Sequence, residues 1–200
     1  MNTLDAIRHR RSFKAFDTTH RMSDAEQREL LEAVLLSPTA FNLQHWRLVL
    51  VENPALRQQI RAAGWDQPQI TDASLLVVLC ADVASWEKNG ARVWAEAPQA
   101  AQDFLVPAID AYYRDKPQTQ RDEAMRSCGI AAQSLMLAAH SMGYESCPMV
   151  GFDFEAVGAL INLPADHCIS MMIAIGRPTS PAKARIGKLP FEEVVIRDSF

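Results

Sequence analysis

The sequence predicts a single three-layer α+β or α/β domain, in which a few strands are enclosed by many helices. Two hundred residues are enough for one domain with a full hydrophobic core, and no repeat, low-complexity tract or linker divides them. Apolar residues make up 48% and charged residues 22% of the chain, as in an ordinary globular protein. Three apolar stretches with strand character alternate with longer helical patterns. We therefore expect residues 1–200 to form one domain.

The N-terminal third predicts helices joined by polar turns. A short first helix is expected to end near a basic cluster at residues 8–14. Ser23, with a glutamate three residues later, has the form of a capping box, and the helix that it begins should end before Pro38. Residues 46–51 are predicted to form a strand, and the Asn-Pro pair that follows begins a helix running to about Gly64.

The middle of the chain contains the clearest strand and the longest helix. Residues 75–81 are continuously apolar and rich in β-branched side chains, as expected of a strand buried on both faces. Residues 84–118 mix tryptophan, proline, alanine and charge, which predicts helices with irregular joints. A long helix is expected from about Arg121 to Met142, with Gly143 as its C-cap.

Two further elements and an apolar tail complete the chain. A short helix is predicted at residues 154–161, and residues 168–175 have the third strand pattern. Residues 191–200 contain three consecutive β-branched side chains and are too apolar for a free terminus. An added edge strand, on this sheet or on a partner's, is the structure that such a tail suggests.

The charge and hydropathy of the chain argue against several classes of partner. A formal net charge of −4 disfavours a general nucleic-acid binder, which normally carries a basic face. The first residues, MNTLDAIRHRRSF, lack the apolar stretch of a signal peptide. Apolar runs such as residues 75–81 and 171–175 are far shorter than the ~20 residues of a membrane helix. We therefore expect a cytoplasmic protein with no nucleic-acid or membrane partner.

The four cysteines lack the CxxC or histidine-rich spacing of a metal site, so we assign no metal. Free cysteine is usually buried. We expect reduced thiols in or near the core at Cys80, Cys128, Cys147 and Cys168.

The first candidate site is the basic cluster at residues 8–14, which contains four arginine and lysine side chains in an acidic protein. A phosphate group is bound by bidentate guanidinium donors, a hydroxyl donor and backbone N–H groups. Arg10, Arg11 and Ser12 would supply the side-chain part of such a site. A solvated basic face at a helix C-terminus explains the cluster equally well from composition alone.

Two loops carry groups that suit a planar ligand. In the segment at residues 37–46, Asn42 and Gln44 would supply in-plane amide partners to a ring. In the segment at residues 143–153, Gly151 permits a close approach of the backbone to a ligand. For the second segment an ordinary loop between helices is the more frequent alternative.

A second basic segment lies at residues 185–195. Arg185 and Lys188 would provide another pair of cations for a dianionic phosphate. A solvated basic loop is the equally frequent alternative. Each of the four segments is modest support when taken alone.

Together and in this order, the four segments resemble the nitroreductase family of flavoproteins. The matching stretches are Arg10-Arg11-Ser12-Phe13-Lys14-Ala15-Phe16 and residues 37–46, 143–153 and 185–195, which span essentially the whole chain. The resemblance implies a nitroreductase-like three-layer α+β sandwich with a central, mostly antiparallel sheet flanked by helices. It also implies an intertwined homodimer with two FMN sites at the subunit interface.

The resemblance assigns particular residues to the flavin. Phosphate binding is implied for Arg10, Ser12, Arg185 and Lys188, with Arg11 beside them. Lys14 would face the pyrimidine edge of the isoalloxazine ring. Polar contacts to the ring or ribityl chain would come from Asp66, Gln67 and Gln69, the N5 side would be lined by Pro148, Met149, Val150 and Gly151, and the partner subunit would supply Pro38, Thr39 and Asn42.

Two departures from the family pattern leave roles open. Many relatives carry glutamate where Val150 stands, so the polar contact there must be absent or made by the backbone. The closing segment differs from the family's frequent Lys-x-Arg-x-Pro order. Which of Arg185 and Lys188 binds the phosphate is therefore open.

The activity that the resemblance implies is an NADH- or NADPH-dependent reductase with ping-pong kinetics. The nicotinamide would pass hydride to the flavin N5 and leave, and an acceptor such as a nitroaromatic or quinone would take its place. No protein side chain is assigned a catalytic role, and no Gly-x-Gly-x-x-Gly motif predicts a Rossmann site. Residues 84–118 would form a helical cover that shapes acceptor choice.

Three alternatives remain at this level. One is a flavin-binding protein without reductase turnover. Another is a flavoenzyme of a different reaction on the same fold, such as dehalogenation or flavin destruction, because a fold does not determine a function. The third is a structural domain without a cofactor.

Overall fold

In a computed structural model, which describes residues 2–200, four strands form one sheet with helices on both faces. The strands are β1 (Trp46–Leu50), β2 (Leu75–Asp82), β3 (Glu145–Met149) and β4 (His167–Gly176). The helices are α1 (Thr3–His9), α2 (Asp24–Leu35), α3 (Pro54–Ala63), α4 (Gln69–Asp72), α5 (Ser85–Asn89), α6 (Gln99–Tyr113), α7 (Pro117–Ser141), α8 (Phe154–Leu160) and α9 (Phe191–Val194), with 3₁₀ turns at Ala40–Asn42 and Arg92–Trp94.

The sheet has the strand order β1-β2-β4-β3, and all three neighbouring pairs are antiparallel. An α/β arrangement would require parallel strands joined by helical crossovers. The antiparallel pairing therefore decides between the two predicted classes in favour of α+β. β1 and β3 lie at the two edges of this sheet.

The sheet is covered on both faces, as the continuous apolar pattern of β2 predicts. Successive side chains of a strand point to opposite faces, so β2 contributes to two cores. One core contains Leu75, Val77 and Leu79 of β2, Leu30 and Val34 of α2, and Leu135 of α7. The other contains Leu76, Val78 and Cys80 of β2, Ile60 of α3, Ile70 of α4, and Val157 of α8. The three predicted layers are thus α2 with α7, the sheet, and α3 with α4 and α8.

Local sequence signals place several helix ends correctly. The capping box is formed, since the backbone N–H of Ser23 donates to Glu26 Oε2 at 2.8 Å and that of Glu26 to Ser23 Oγ at 3.3 Å. The side chain of Asn53 accepts from the first N–H groups of α3. Gly143 follows α7 with φ +83°, the left-handed conformation of a helix C-cap glycine. α7 begins at Pro117, four residues before the expected start.

The region at residues 84–118 forms helices with irregular joints, as predicted. It contains α5, a 3₁₀ turn, and α6 with Pro107 in its interior. A small apolar cluster of Leu43, Trp86, Ile109 and Tyr113 joins these helices to the chain before β1. Within residues 2–200, no helix is both long enough and apolar enough to cross a bilayer.

β3 is an element that the sequence pattern predicted as a turn. Proline within a short run is unusual for a strand, because it cannot donate to the hydrogen-bond ladder. β3 tolerates Pro148 since it is an edge strand. The carbonyl of Ser146 points away from β4 and accepts from Phe13. Pro148, two residues on, has its nitrogen on the same outer side, so no bond to β4 is lost.

The tail prediction was wrong for the single chain. Phe191–Val194 forms one helical turn, and residues 195–200 lie outside any strand. Pro190 precedes this turn, and a proline at the start of a helix favours helical rather than extended backbone. All residues from Arg177 onward are exposed in the single chain.

We predict that Leu135→Ala lowers the free energy of unfolding by about 2–5 kcal/mol, because it opens a cavity where α7 packs on the sheet. Urea denaturation measures the change. The control is Ser141→Ala at the exposed C-terminal end of the same helix, for which the loss should stay below about 0.5 kcal/mol. Equal losses in the two variants would contradict this packing.

Candidate binding site at the outer edge of β3

The basic cluster is attached to the free edge of the sheet. After α1 the chain runs beside β3, where Ser12 and Ser146 form a parallel bridge and the Phe13 N–H donates to the Ser146 carbonyl at 3.0 Å. A second bridge pairs Phe16 with Pro178, just beyond the end of β4. Phe13 and Phe16 are both buried, whereas Ser12 and Lys14 are exposed. The segment is therefore held at both ends.

The second basic segment meets the first at the end of α1. Arg185 Nη2 donates to the carbonyl oxygens of Ile7 at 2.9 Å, Arg8 at 3.3 Å and Arg10 at 3.0 Å. A cation at this position also interacts favourably with the negative end of the helix dipole. The guanidinium groups of Arg10, Arg11 and Arg185 consequently lie close together. Burial, followed by the charges of Arg185 and Arg11, lowers the pKa of Arg10.

Several polar atoms of this cluster are buried and lack a partner among residues 2–200. They include Arg10 Nη1, Arg11 Nε and the hydroxyl of Ser146. A buried donor without an acceptor costs free energy, so native proteins supply a partner from the chain, from water or from a ligand. Anionic oxygens satisfy guanidinium donors best. The donor set therefore fits a phosphate group.

One carboxylate lies behind the cluster. Glu145 Oε1 is 2.9 Å from Nδ1 of His140 on α7. Burial raises the pKa of Glu145, while His140 and Arg10 oppose that rise. Glu145 thus balances part of the positive charge of the cluster without forming an ion pair to Arg10 within 4.0 Å in the described chain.

The far end of β3 is connected to the segment that precedes α4. Gln67 Nε2 donates to the carbonyl oxygens of Gly151 at 2.7 Å and Gly64 at 3.1 Å. Gln69 is only 1% exposed, and its Nε2 contacts Gln67 Oε1 at 2.9 Å and Met149 Sδ at 3.3 Å. The Oε1 atom of Gln69 is buried with no partner in residues 2–200. The predicted groups at residues 66–69 and 148–151 are therefore adjacent.

A strained turn projects a tryptophan beside this junction. Trp65 and Asp66 both have φ of +56°, a left-handed conformation that costs about 1–2 kcal/mol for such residues. Arg61 holds the turn, since its carbonyl accepts from the Asp66 N–H at 3.0 Å and its Nε donates to Asp66 Oδ1 at 2.7 Å. The indole of Trp65 packs on Gly151, where a Cβ would come within 2.7 Å of Trp65 Cζ3.

The loop before β1 is strained as well. Phe41, Asn42 and Gln44 have φ of 51°, 57° and 50°. Besides bonds within the loop, Ser37 Oγ donates to Ser134 Oγ of α7 at 2.9 Å, Trp94 Nε1 donates to the Phe41 carbonyl at 3.0 Å, and Ser85 Oγ donates to the Leu43 carbonyl at 2.7 Å. This loop is therefore supported by α7 and by the region at residues 84–118.

The single chain does not bring every predicted residue to the β3 edge. No hydrogen bond in residues 2–200 links Pro38, Thr39 or Asn42 to the basic cluster. Lys188 is exposed, whereas Arg185 is fixed at the end of α1. The roles of Pro38, Thr39, Asn42 and Lys188 stay predictions.

The remaining predicted residues form one continuous wall. From Ser146 to Gly151 the wall is about 16 Å long, at roughly 3.3 Å per residue. Its first end is cationic, and its second end consists of half-buried Gln67 and Gly151 and exposed Val150, with Gln69 and Met149 buried beside them. It is an open surface, whereas a cavity of 840 Å³ at α8 and the start of β4 contains none of the predicted site residues. Such a wall suits an elongated ligand with an anionic end and a planar body.

Sequence reasoning missed three residues of this site. Ser146 and Glu145 belong to β3, which was predicted as a turn, and their burial depends on α7 and on the N-terminal segment. Trp65 immediately precedes the predicted site residue Asp66. The signal that could have identified it is a tryptophan that follows a glycine in a polar turn.

Comparison with known proteins identifies a family. A model of the Nitroreductase family matches residues 7–177. Protein DrgA of Synechocystis is 50% identical over 199 residues, which cover 94% of this chain and 95% of that protein. YodC of Bacillus subtilis, whose name proposes NAD(P)H nitroreductase activity, is 31% identical over 201 residues, which cover 96% of this chain and 97% of that protein.

Solved structures share the fold. The crystal structure of ydfN from Bacillus subtilis has a TM-score of 0.91 at 28% identity and covers 96% of this chain and 97% of that one. The structure of an Exiguobacterium sibiricum protein in complex with FMN has a TM-score of 0.89 at 23% identity and covers 98% of this chain and 97% of that one. These similarities confirm the predicted α+β fold.

The loop before β1 ends at His45, whose buried imidazole should make the stability of the fold depend on pH. Burial lowers the pKa of His45 to about 4. In the unfolded chain the pKa is about 6.5, so the unfolded state binds the proton first and stability falls as the pH drops from about 6.5 towards 4. When the pH is lowered from about 7.5 to about 5, urea denaturation should show that the free energy of unfolding of the wild-type protein falls by about 2 kcal/mol more than that of His45→Asn. Parallel pH profiles of the two proteins would contradict a buried neutral imidazole.

Proposed function

Because this chain belongs to the nitroreductase family of oxidoreductases, we propose that it is an FMN-dependent reductase that takes electrons from NADH or NADPH. The acceptor is a small molecule such as a nitroaromatic or a quinone, and donor and acceptor use the site in turn by a ping-pong mechanism. The observation that carries the proposal is the group of three guanidinium side chains at the β3 edge, two of which have buried N–H atoms without a partner in the described chain.

The phosphate of FMN is held at the cationic end of the wall. Arg10, Arg11 and Ser12 contribute from the N-terminal segment, and Arg185 contributes from the C-terminal segment. A phosphate there relieves the mutual repulsion of the arginines and accepts from their free N–H groups. Of the two cations left open by the sequence, we favour Arg185 over Lys188, because its guanidinium is fixed beside Arg10.

The ring and ribityl chain of FMN lie along the rest of the wall. Gln69 presents a buried carbonyl oxygen that needs an N–H donor, and an isoalloxazine ring has one. Asp66, Gln67 and Lys14 supply further polar contacts. Residues 148–151 line the N5 side, where Val150 has no polar side chain, so any hydrogen bond at that position comes from the backbone.

The protein's part in the reaction is binding and orientation. FMN, when bound, supplies the chemistry, because its N5 accepts hydride from a nicotinamide and its ring passes electrons to an acceptor. The cations at the β3 edge hold the cofactor at one end. The wall leaves one side open, so that donor and acceptor meet the same surface in succession.

A second copy of the chain completes the site in this proposal. The single chain exposes apolar side chains on α7 and along the tail, including Ile130, Ile186, Phe191 and Phe200. Exposed apolar surface of this extent is typical of an interface. The partner subunit supplies Pro38, Thr39 and Asn42 to each flavin.

We predict that Arg10→Ala weakens FMN binding by about 10-fold or more, because one charge-assisted contact is worth about 1.5–3 kcal/mol. Fluorescence titration of the apoprotein with FMN measures the dissociation constant. Lys183→Ala, which removes an exposed cation of the same tail, is the control and should leave it unchanged. Unchanged affinity in Arg10→Ala would show that the cluster is only a solvated face.

The activity itself is tested with the purified protein. It should be yellow, with flavin absorbance near about 450 nm, and NADH or NADPH should bleach it under anaerobic conditions. A nitroaromatic or quinone should then restore the colour. A colourless protein that takes up no FMN contradicts the proposal, and a yellow protein that neither nicotinamide bleaches supports flavin binding without reductase turnover.

The oligomeric state is a separate prediction. Light scattering of the holoprotein should give twice the mass of one chain, because exposed apolar surface on α7 and the tail is buried between copies. Ile130→Glu should weaken the dimer, since it places a charge at that surface. A monomeric holoprotein would contradict a site shared between subunits.

A further inference from the structure

We infer that Trp65 forms an aromatic platform that selects planar aromatic acceptors at the open side of the flavin. This inference rests on the proposed function, because it takes residues 148–151 as the lining of the N5 side. None of the flavin contacts proposed above involves Trp65. The substrate class that it would favour is an electron acceptor with a flat, conjugated ring.

The exposure of Trp65 has no structural explanation in the single chain. Trp46 and Trp86 are buried, and the indole N–H of Trp94 donates to the Phe41 carbonyl at 3.0 Å. Trp65 is 72% exposed and contributes to none of the three apolar cores. Its left-handed backbone would suit glycine or asparagine better than an indole. Neither core packing nor local conformation accounts for tryptophan at this position.

The position of Trp65 relative to the wall is well defined. Its six-membered ring lies against Gly151, with Cζ3, Cε3 and Cη2 at 2.7, 3.3 and 3.5 Å from where a Cβ would stand. Val150, the neighbouring residue, is 64% exposed. The bond from Gln67 Nε2 to the Gly151 carbonyl ties the tryptophan's turn to the end of β3. The indole therefore stands at the margin of the proposed N5 side.

The chemistry of an indole suits this place. Its ring has a large π face that attracts other planar rings in offset-stacked or edge-to-face arrangements. A saturated ring of similar size gains contact area from the same surface but no π interaction. Because the turn is held by Arg61 and Gln67, the platform is positioned before any acceptor arrives, which reduces the entropy cost of binding.

The experiment compares Trp65→Ala and Trp65→Phe with the wild-type holoprotein. The probes are 2-naphthoate and its saturated counterpart decahydro-2-naphthoate, neither of which the flavin can reduce under the assay conditions. Their binding is followed by the change in absorbance of bound FMN. We expect Trp65→Ala to weaken 2-naphthoate binding by about 3- to 10-fold and decahydro-2-naphthoate binding by less than about 2-fold. Trp65→Phe should lie between Ala and wild type.

The same difference between aromatic and non-aromatic compounds should appear in turnover. Trp65→Ala should raise KM for a quinone but not for ferricyanide, which has no ring. FMN affinity and the mass of the holoprotein should match those of wild type in both variants. Equal losses for the two naphthoates, no loss, or weaker FMN binding in Trp65→Ala would each overturn the inference while leaving the proposed function intact. A wild-type protein that takes up no FMN would overturn both.

Discussion

The attachment of the N-terminal segment to the outer edge of β3 is the contact on which the rest of the site depends. The bridge between Ser12 and Ser146 places Arg10 and Arg11 at the end of the strand, and Arg185 is held there by carbonyls at the C-terminal end of α1. Pro148 cannot donate a hydrogen bond outward, so the pairing does not extend along β3. Residues 148–151 are left free to contact a ligand instead of pairing with a fifth strand-like segment of the chain.

The elements predicted correctly from sequence are those whose signals are local. β1, β2 and β4 have apolar β-branched patterns, and the capping box, Asn53 and Gly143 mark helix ends. β3 was not predicted as a strand, because its five residues contain a proline and lack an alternation of apolar and polar side chains. Its existence depends on pairing with β4. The tail was predicted as a strand from its β-branched residues, but Pro190 starts a helical turn.

The candidate site likewise contains residues that local sequence signals predict and residues that only the tertiary structure reveals. Arg10, Ser12 and Arg185 were predicted as phosphate ligands because phosphate binding requires particular side chains, and the family resemblance supplied the predictions for Gln67 and Gln69. Tertiary structure alone could reveal that Ser146 is buried without a partner or that Trp65 packs on Gly151. The left-handed backbone of five residues in the loops before β1 and α4 could not be predicted from sequence either, because strain of this kind persists only where surrounding contacts enforce it. These residues are Phe41, Asn42, Gln44, Trp65 and Asp66.

The central claim is that the arginine cluster binds the phosphate of FMN, and the affinity of the apoprotein for FMN relative to riboflavin tests it most directly. The two flavins share the ring and differ at the phosphate that the cluster would hold. With two or more charge-assisted contacts, FMN should bind at least about 100-fold more tightly than riboflavin, and the difference should shrink in Arg10→Ala. Equal affinity for FMN and riboflavin would contradict the account.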